Sequence, residues 1–196
     1  MIIEPQIRRG EDGKVEINQY KQINRLLLKR GGKRKMISLQ DWFSYHVWGT
    51  TRQLEHLTTL PDNVYDQEIQ SVFPSIRAVF EHVWVVDYLW LQRMKGETQP
   101  EPPDIQLLTI EEAKHEFTLL HEEIQCFIQQ SEDFTTPFSF KTIKGFVMEN
   151  TVEEMIYTVV NHGSYHRGNV TAMHRQLGYE GVVYDYIYYL DSTRNN

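Results

Sequence analysis

The stretch that decides the fold is Thr151–Gly178, TVEEMIYTVVNHGSYHRGNVTAMHRQLG. It opens with Thr-Val-Glu-Glu, in which the threonine and the glutamate three residues later can cap a helix reciprocally. It ends at a glycine, a residue type that commonly terminates helices. Between these signals, apolar side chains recur at helical intervals, at Met155, Val159, Val170 and Met173. We therefore predict one long amphipathic helix whose apolar stripe faces a core.

Two histidines, His162 and His166, lie four residues apart on that apolar stripe. Side chains at this spacing are neighbours on one helix face, with Cβ atoms about 5–6 Å apart, and two imidazoles so placed can bind one metal ion. The spacing alone is weak evidence, because random order would produce about 0.3 such pairs in this chain. The apolar stripe strengthens the prediction, since two buried imidazoles need a partner that satisfies them.

Outside this segment the sequence predicts three further helices, over Ser38–Leu60, Ser75–Met94 and Thr109–Gln130. Ser75 follows Pro74 as a suitable N-cap, and Thr109 begins a second capping box with Glu112. Residues 131–148 combine Phe, Thr and Ile with turn residues, which predicts a long connection containing a small hairpin. Four helices of about 20 residues predict an all-α four-helix bundle, with the aromatic tail packed across it.

A third histidine on another helix completes a possible ligand set. His82 shares a helical face with Val79, Val86 and Leu89, so we expect its ring to point inward. A single histidine on such a face is usually a satisfied core residue, but three inward histidines favour a metal site, because histidine is the commonest metal ligand. His46 lies on the stripe of the first helix, where it could contact a substrate or support a ligand. The other histidines have polar neighbours, and we predict that they face solvent: His56, His115, His121 and His174.

Composition restricts the class of partner. The net charge is −7 and no basic face is evident, which argues against nucleic acid as the main partner. No apolar run approaches the ~20 residues of a membrane span.

The lone cysteine, Cys126, excludes an intramolecular disulfide and is typical of a cytoplasmic protein. Its helical context predicts a small buried hydrophobic residue rather than a catalytic thiol.

Residues 1–35 differ from the rest of the chain. They are polar, basic toward the end (KRGGKRK) and short of periodicity. We expect a poorly structured N-terminal extension that is foreign to the fold, with the functional chain beginning at Met36. Residues 36–196 are then one bundle domain, a length that can bury a sizeable core.

Together these segments resemble the DinB superfamily, over about Met36 to Ser192. The order is an aromatic first helix (DWFSYHVWGTTRQL), an inward histidine in the second (FEHVWVVDYLWLQR), then NHGSYHRGNVTAMHRQLG and the tail YDYIYYL. The most specific piece is His162-x-x-x-His166-Arg167-Gly168. The resemblance implies an up-down-down-up four-helix bundle, a homodimer, and a divalent metal held by His82, His162 and His166.

The chain departs from the family pattern at two positions. Many members have a histidine where this chain has Tyr165, and a glutamine where it has Asn169. Neither change removes a predicted ligand, but both put the subfamily in doubt. Of the other nearby side chains, we expect Tyr165 to contact a substrate and Arg167 to form a structural ion pair with Asp87 or a glutamate.

Three neutral imidazoles leave a bound metal with its full charge and an open position. All-imidazole ligation suits Zn, Ni, Fe or Cu. Such a metal can lower the pKa of a bound water toward ~7 for hydrolysis, or it can deprotonate a coordinated thiol. Related families transfer bacillithiol or mycothiol onto electrophiles, so the resemblance favours a metal-dependent thiol S-transferase acting on small molecules. A metal-dependent hydrolase and a non-catalytic, stress-related metal-binding dimer are the alternatives.

Overall fold

The computed structural model describes residues 37–142 and 144–194. The elements are α1 (Leu39–Leu57), α2 (Ile76–Met94), α3 (Ile110–Gln130), β1 (Phe138–Lys141), β2 (Val147–Asn150), α4 (Val152–Gln176) and α5 (Tyr186–Arg194). The predicted all-α class with a small hairpin before the last long helix is confirmed. No helix in the described residues is long and apolar enough to cross a membrane. The predicted N-terminal extension, residues 1–35, lies outside the described residues.

Local sequence signals set where the long helices begin and end. Reciprocal capping boxes start α1, α3 and α4, at Ser38 with Asp41, Thr109 with Glu112, and Thr151 with Glu154. In α2 the Ser75 hydroxyl accepts a hydrogen bond from the Ala78 N–H. Helix α1 ends at Leu57 rather than at the predicted Leu60, because the chain there tightens into i→i−3 hydrogen bonds. After α4, Gly178 takes a φ of 88°, as its predicted role at the helix end requires.

The four long helices pack as a bundle in which α1 and α2 each contact both α3 and α4. This places α1 and α2 at opposite corners. The hairpin pairs its strands antiparallel, and Phe140 of β1 points into the core. The tail crosses the bundle as predicted, because Tyr186 and Tyr189 of α5 pack their rings against Tyr45 of α1.

Three side chains lie where the sequence analysis did not place them. Cys126, predicted to be buried, is exposed, whereas His121 and His174, predicted to face solvent, are buried. The buried face of α3 passes through Phe117, His121, Ile124 and Ile128. Cys126 lies two residues from Ile124, about 200° around the helix, and therefore falls on the opposite face.

Two glycines allow α1 and α4 to approach closely around polar side chains. A Cβ at Gly163 of α4 would lie 2.2 Å from Cε1 of His46 and 2.3 Å from its Nδ1. A Cβ at Gly49 of α1 would lie 2.8 Å from Nε of Arg167. Each glycine thus makes room for a buried polar side chain that the other helix supplies.

This packing predicts opposite outcomes for two alanine substitutions in α4. Gly163→Ala should lower the free energy of unfolding by about 1–3 kcal/mol, because the new methyl group overlaps His46. Gly168→Ala is the matched control, since its Cβ would meet only the Tyr184 hydroxyl, at 3.4 Å. There, the better helix propensity of alanine should raise stability by up to about 1 kcal/mol. Urea denaturation of both variants measures the difference, and equal stabilities would contradict the close approach.

His174 is a buried imidazole without a hydrogen-bond partner. Its side chain is completely buried, and neither ring nitrogen bonds to the described residues. Burial lowers its pKa to about 4, with the neighbouring His56 acting in the same direction. The ring is therefore neutral in the folded protein near pH 7, but in the unfolded chain it takes up a proton near its ordinary pKa of about 6.5.

Stability should therefore fall as the pH is lowered from about 6.5 to 4, because the unfolded chain then binds the proton that folded His174 excludes. For the metal-free protein, we expect this group to account for up to about 3 kcal/mol of that loss. His174→Leu should lose correspondingly less between pH 7 and 4.5, as measured by urea denaturation at each pH. The exposed His115→Gln is the control and should follow the wild type. Parallel curves for all three proteins would contradict the assignment.

Candidate metal centre

The structure brings together the three histidines that were predicted as ligands. His82 extends from α2, and His162 and His166 extend from successive turns of α4. Nε2 of His162 lies 3.2 Å from Nε2 of His82 and 3.0 Å from Nε2 of His166. One ligand atom from each residue lies within 4.8 Å of the others, the spacing of a group that could hold a metal ion.

The chemistry of these three rings fits a metal ion. Burial lowers the pKa of His82, His162 and His166, the last to about 4, so the rings are neutral near pH 7. A neutral ring nitrogen is either a donor or an acceptor, so one atom cannot form good hydrogen bonds to both neighbours. A cation among the three Nε2 atoms would accept all three lone pairs. Nδ1 of His162 is a buried atom without a partner among the described residues. With a cation on Nε2, this Nδ1 would carry the proton of the ring and could donate it to an acceptor that is not a metal ligand.

Asn169 can fix the orientation of the His166 ring. Its side-chain amide nitrogen lies 3.3 Å from Nδ1 of His166. The two ends of an amide are similar in shape, and rotating this one by 180° would let its oxygen accept the Nδ1–H. Nε2 would then keep its lone pair for a metal. The asparagine that departs from the family pattern is thus able to support the ligand next to it.

Two aromatic rings flank the histidines. The Phe73 ring lies 5.1 Å from the His82 ring and 5.5 Å from the His166 ring, between centroids. The Tyr165 ring lies 5.0 Å from that of His166 and is 63% exposed. The position of Tyr165 suits its predicted contact with a substrate, which stays a prediction. Phe73 was not predicted from the sequence, although it directly precedes Pro74 and the helix that carries His82.

A second polar group lies deeper in the bundle. Nε2 of His46 is 2.9 Å from Oδ2 of Asp87, and Nε2 of His121 is 3.7 Å from the same oxygen. All three side chains are buried, and their spacing too could accommodate a metal ion. Burial by itself raises the pKa of Asp87, but His46 and His121 together bring it well below its ordinary value. Asp87 is therefore ionised inside the bundle.

Hydrogen bonding makes this deeper group the poorer metal candidate. Nη1 of Arg167 lies 3.2 Å from Nδ1 of His46, and a guanidinium only donates. Nδ1 of His46 therefore accepts, and Nε2 carries the proton and donates to Asp87. Both nitrogens of this ring are occupied, and burial lowers its pKa to about 4. The predicted ion pair of Arg167 with Asp87 or a glutamate is not found among the described residues, because Arg167 contacts His46, which lies between it and Asp87.

Comparisons with known proteins identify the family. The family model described as DinB family matches residues 36–196. Protein DinB of Bacillus subtilis (strain 168) is 38% identical over 160 residues, which cover 78% of this chain and 93% of that protein. A DinB-like protein from Bacillus cereus ATCC 10987, solved at 2.01 Å resolution, shares the fold with a TM-score of 0.57 and 23% identity, over 74% of this chain and 95% of that one. The family model and the Bacillus subtilis relative both show that the chain belongs to the DinB family.

Proposed function

We propose that this protein binds one divalent cation through His82, His162 and His166 and uses it as a thiol S-transferase. The observation that carries the proposal is the convergence of three neutral imidazole Nε2 atoms, contributed by two helices, beside a pair of aromatic rings. A low-molecular-weight thiol such as bacillithiol would be the cofactor, and a small electrophile would be the substrate. The metal would be Zn, Ni or Fe, each of which binds imidazole nitrogens.

The ligand set favours a thiolate. When bound, the cation supplies Lewis acidity that deprotonates a coordinated thiol, and the neutral ligands themselves bring no negative charge to it. The residues of the chain hold this chemistry in place. The two turns of α4 present His162 and His166 on one face, and α2 presents His82 opposite them. Phe73 and Tyr165 offer apolar surface to the organic part of a substrate.

One observation disfavours a hydrolase that depends on a protein base. Such an enzyme needs a base that can reach the attacking water. Among the described residues, Asp87 is the acid whose charge acts on all three ligand histidines. Asp87 is completely buried, and its Oδ2 is bonded to His46, so it cannot reach a substrate at the aromatic side of the site. A metal-bound water and a coordinated thiol can both lose their proton without a protein base, so the family resemblance is what favours the thiol. The homodimer implied by the family resemblance stays a prediction.

Metal analysis of purified variants tests the binding site. We expect about one equivalent of metal per chain in the wild type and little or none in His82→Ala and His162→Ala, since each loses one of three ligands. His115→Ala, which removes an exposed histidine from α3, is the control and should bind as the wild type does. Equal metal in all four proteins, measured by elemental analysis, would end the proposal for these ligands.

An assay with a thiol and an electrophile tests the chemistry. Metal-loaded protein incubated with bacillithiol and a haloalkyl electrophile should form the thioether conjugate at least ten times faster than His162→Ala. The conjugate is measured by mass spectrometry, with chelator-treated protein as a second control. Ester or amide cleavage without conjugate would favour the hydrolase. Neither activity, with metal still bound, would favour a non-catalytic binding protein.

A further inference from the structure

A chain of buried polar side chains links the two helices that carry the three histidines. Asp87 lies five residues after His82 on α2, and Arg167 directly follows His166 on α4. His46 of α1 contacts both, at 2.9 Å from Asp87 and 3.2 Å from Arg167. These three linking side chains are buried. The contact between the two ligand-bearing helices through α1 therefore exists without any metal.

The surrounding contacts leave Arg167 little freedom. Its Nη2 donates to the Ser164 hydroxyl at 2.8 Å, and its backbone carbonyl accepts a hydrogen bond from Nε2 of Gln53 at 2.9 Å. Gly49 and Gly163 provide the space that the guanidinium and His46 occupy. A rotation or shift of α4 would break this set of contacts. The part of α4 that carries His162 and His166 is thus fixed by groups that do not belong to the metal site.

Asp87 also acts on the histidines through its charge. Its carboxylate interacts electrostatically with His82, His162 and His166, and this interaction favours positive charge at each of them. A group that favours positive charge on each ring will also favour a cation among them. Moreover, Oδ1 of Asp87 and Nδ1 of His162 are both buried without a partner among the described residues. A metal on Nε2 of His162 would leave a proton on Nδ1, which needs an acceptor, and this carboxylate would serve through a bridging water.

We propose that Asp87 is a positioning residue for the metal centre. Through His46 and Arg167 it holds α2 and α4 so that the three Nε2 atoms converge, and it supplies negative charge that offsets the charge of the bound cation. The proposal rests on the proposed metal binding. The competing explanation is a buried ionic network that serves stability alone. Such a network would affect the fold and leave the affinity for metal unchanged.

Asp87→Asn separates these explanations. The amide is almost the same shape, and its oxygen can still accept the Nε2–H of His46, so that contact is kept while the charge and the second acceptor oxygen are lost. We expect the variant to bind zinc 10–100-fold more weakly, as measured by competition with a chromophoric chelator. The visible absorption of the cobalt-substituted protein should change as well, because it reports the ligand geometry. His174→Leu is the control: it removes a buried histidine of α4 outside this network and should change neither readout.

A second pair of variants tests the link itself. His46→Gln can still donate to Asp87 and accept from Arg167, so we expect it to keep zinc affinity within about threefold of the wild type. His46→Leu can do neither and should weaken zinc binding at least tenfold. The result of this comparison does not depend on whether Asp87→Asn folds.

The possible results are distinct. Unchanged zinc affinity and cobalt absorption in Asp87→Asn, with equal losses of thermal stability in its metal-free and zinc-loaded forms, would overturn the inference alone. Equal zinc affinity in His46→Gln and His46→Leu would do the same. A wild-type protein that binds no zinc or cobalt would overturn the proposed metal site and this inference with it.

Discussion

A hydrogen bond between two completely buried side chains, His46 and Asp87, is the contact on which the rest of the bundle depends. An ionised carboxylate inside a protein costs several kcal/mol unless it is paired and hydrogen-bonded. Here Asp87 extends from α2, His46 from α1, His121 from α3, and Arg167, which reaches His46, from α4. Each long helix contributes one side chain to this buried polar group. The buried carboxylate therefore has these polar neighbours only when all four helices are in register.

The candidate metal site follows from that register. Asp87 lies five positions after His82 on α2, and Arg167 directly follows His166 on α4. When the deeper group is assembled, the three histidines face one another with Nε2 atoms 3.0 and 3.2 Å apart. Three neutral nitrogens at that distance have little to gain from one another, because no arrangement of protons satisfies them all. Their arrangement is maintained by the fold, and a cation could bind with little rearrangement of helices.

Much of this could be predicted from the sequence, because it depends on local signals. Capping boxes located the starts of α3 and α4, and the apolar stripe placed His162 and His166 on one face. Contacts between helices have no such signal. The interior position of Asp87 was missed, although α2 is apolar on most sides and leaves a carboxylate few solvated directions. His121 was assigned to solvent by its charged neighbours, although it lies at helical spacing from Phe117 and Ile124.

The inner and outer sides of the histidine site have different chemistry. Under the proposed function, different side chains would therefore affect metal binding and the choice of substrate. The inner side carries the charge of Asp87, which is enclosed by His46 and His121. The outer side carries the rings of Phe73 and Tyr165. Charge on the inner side would influence how strongly a cation is held, whereas ring size and polarity on the outer side would influence what approaches it. Under the proposed function, a substitution at Phe73 or Tyr165 would alter the accepted substrate and leave the three histidines in place. The outer side imposes little constraint on the bundle, because Tyr165 is exposed, whereas the inner carboxylate contacts histidines of two other helices.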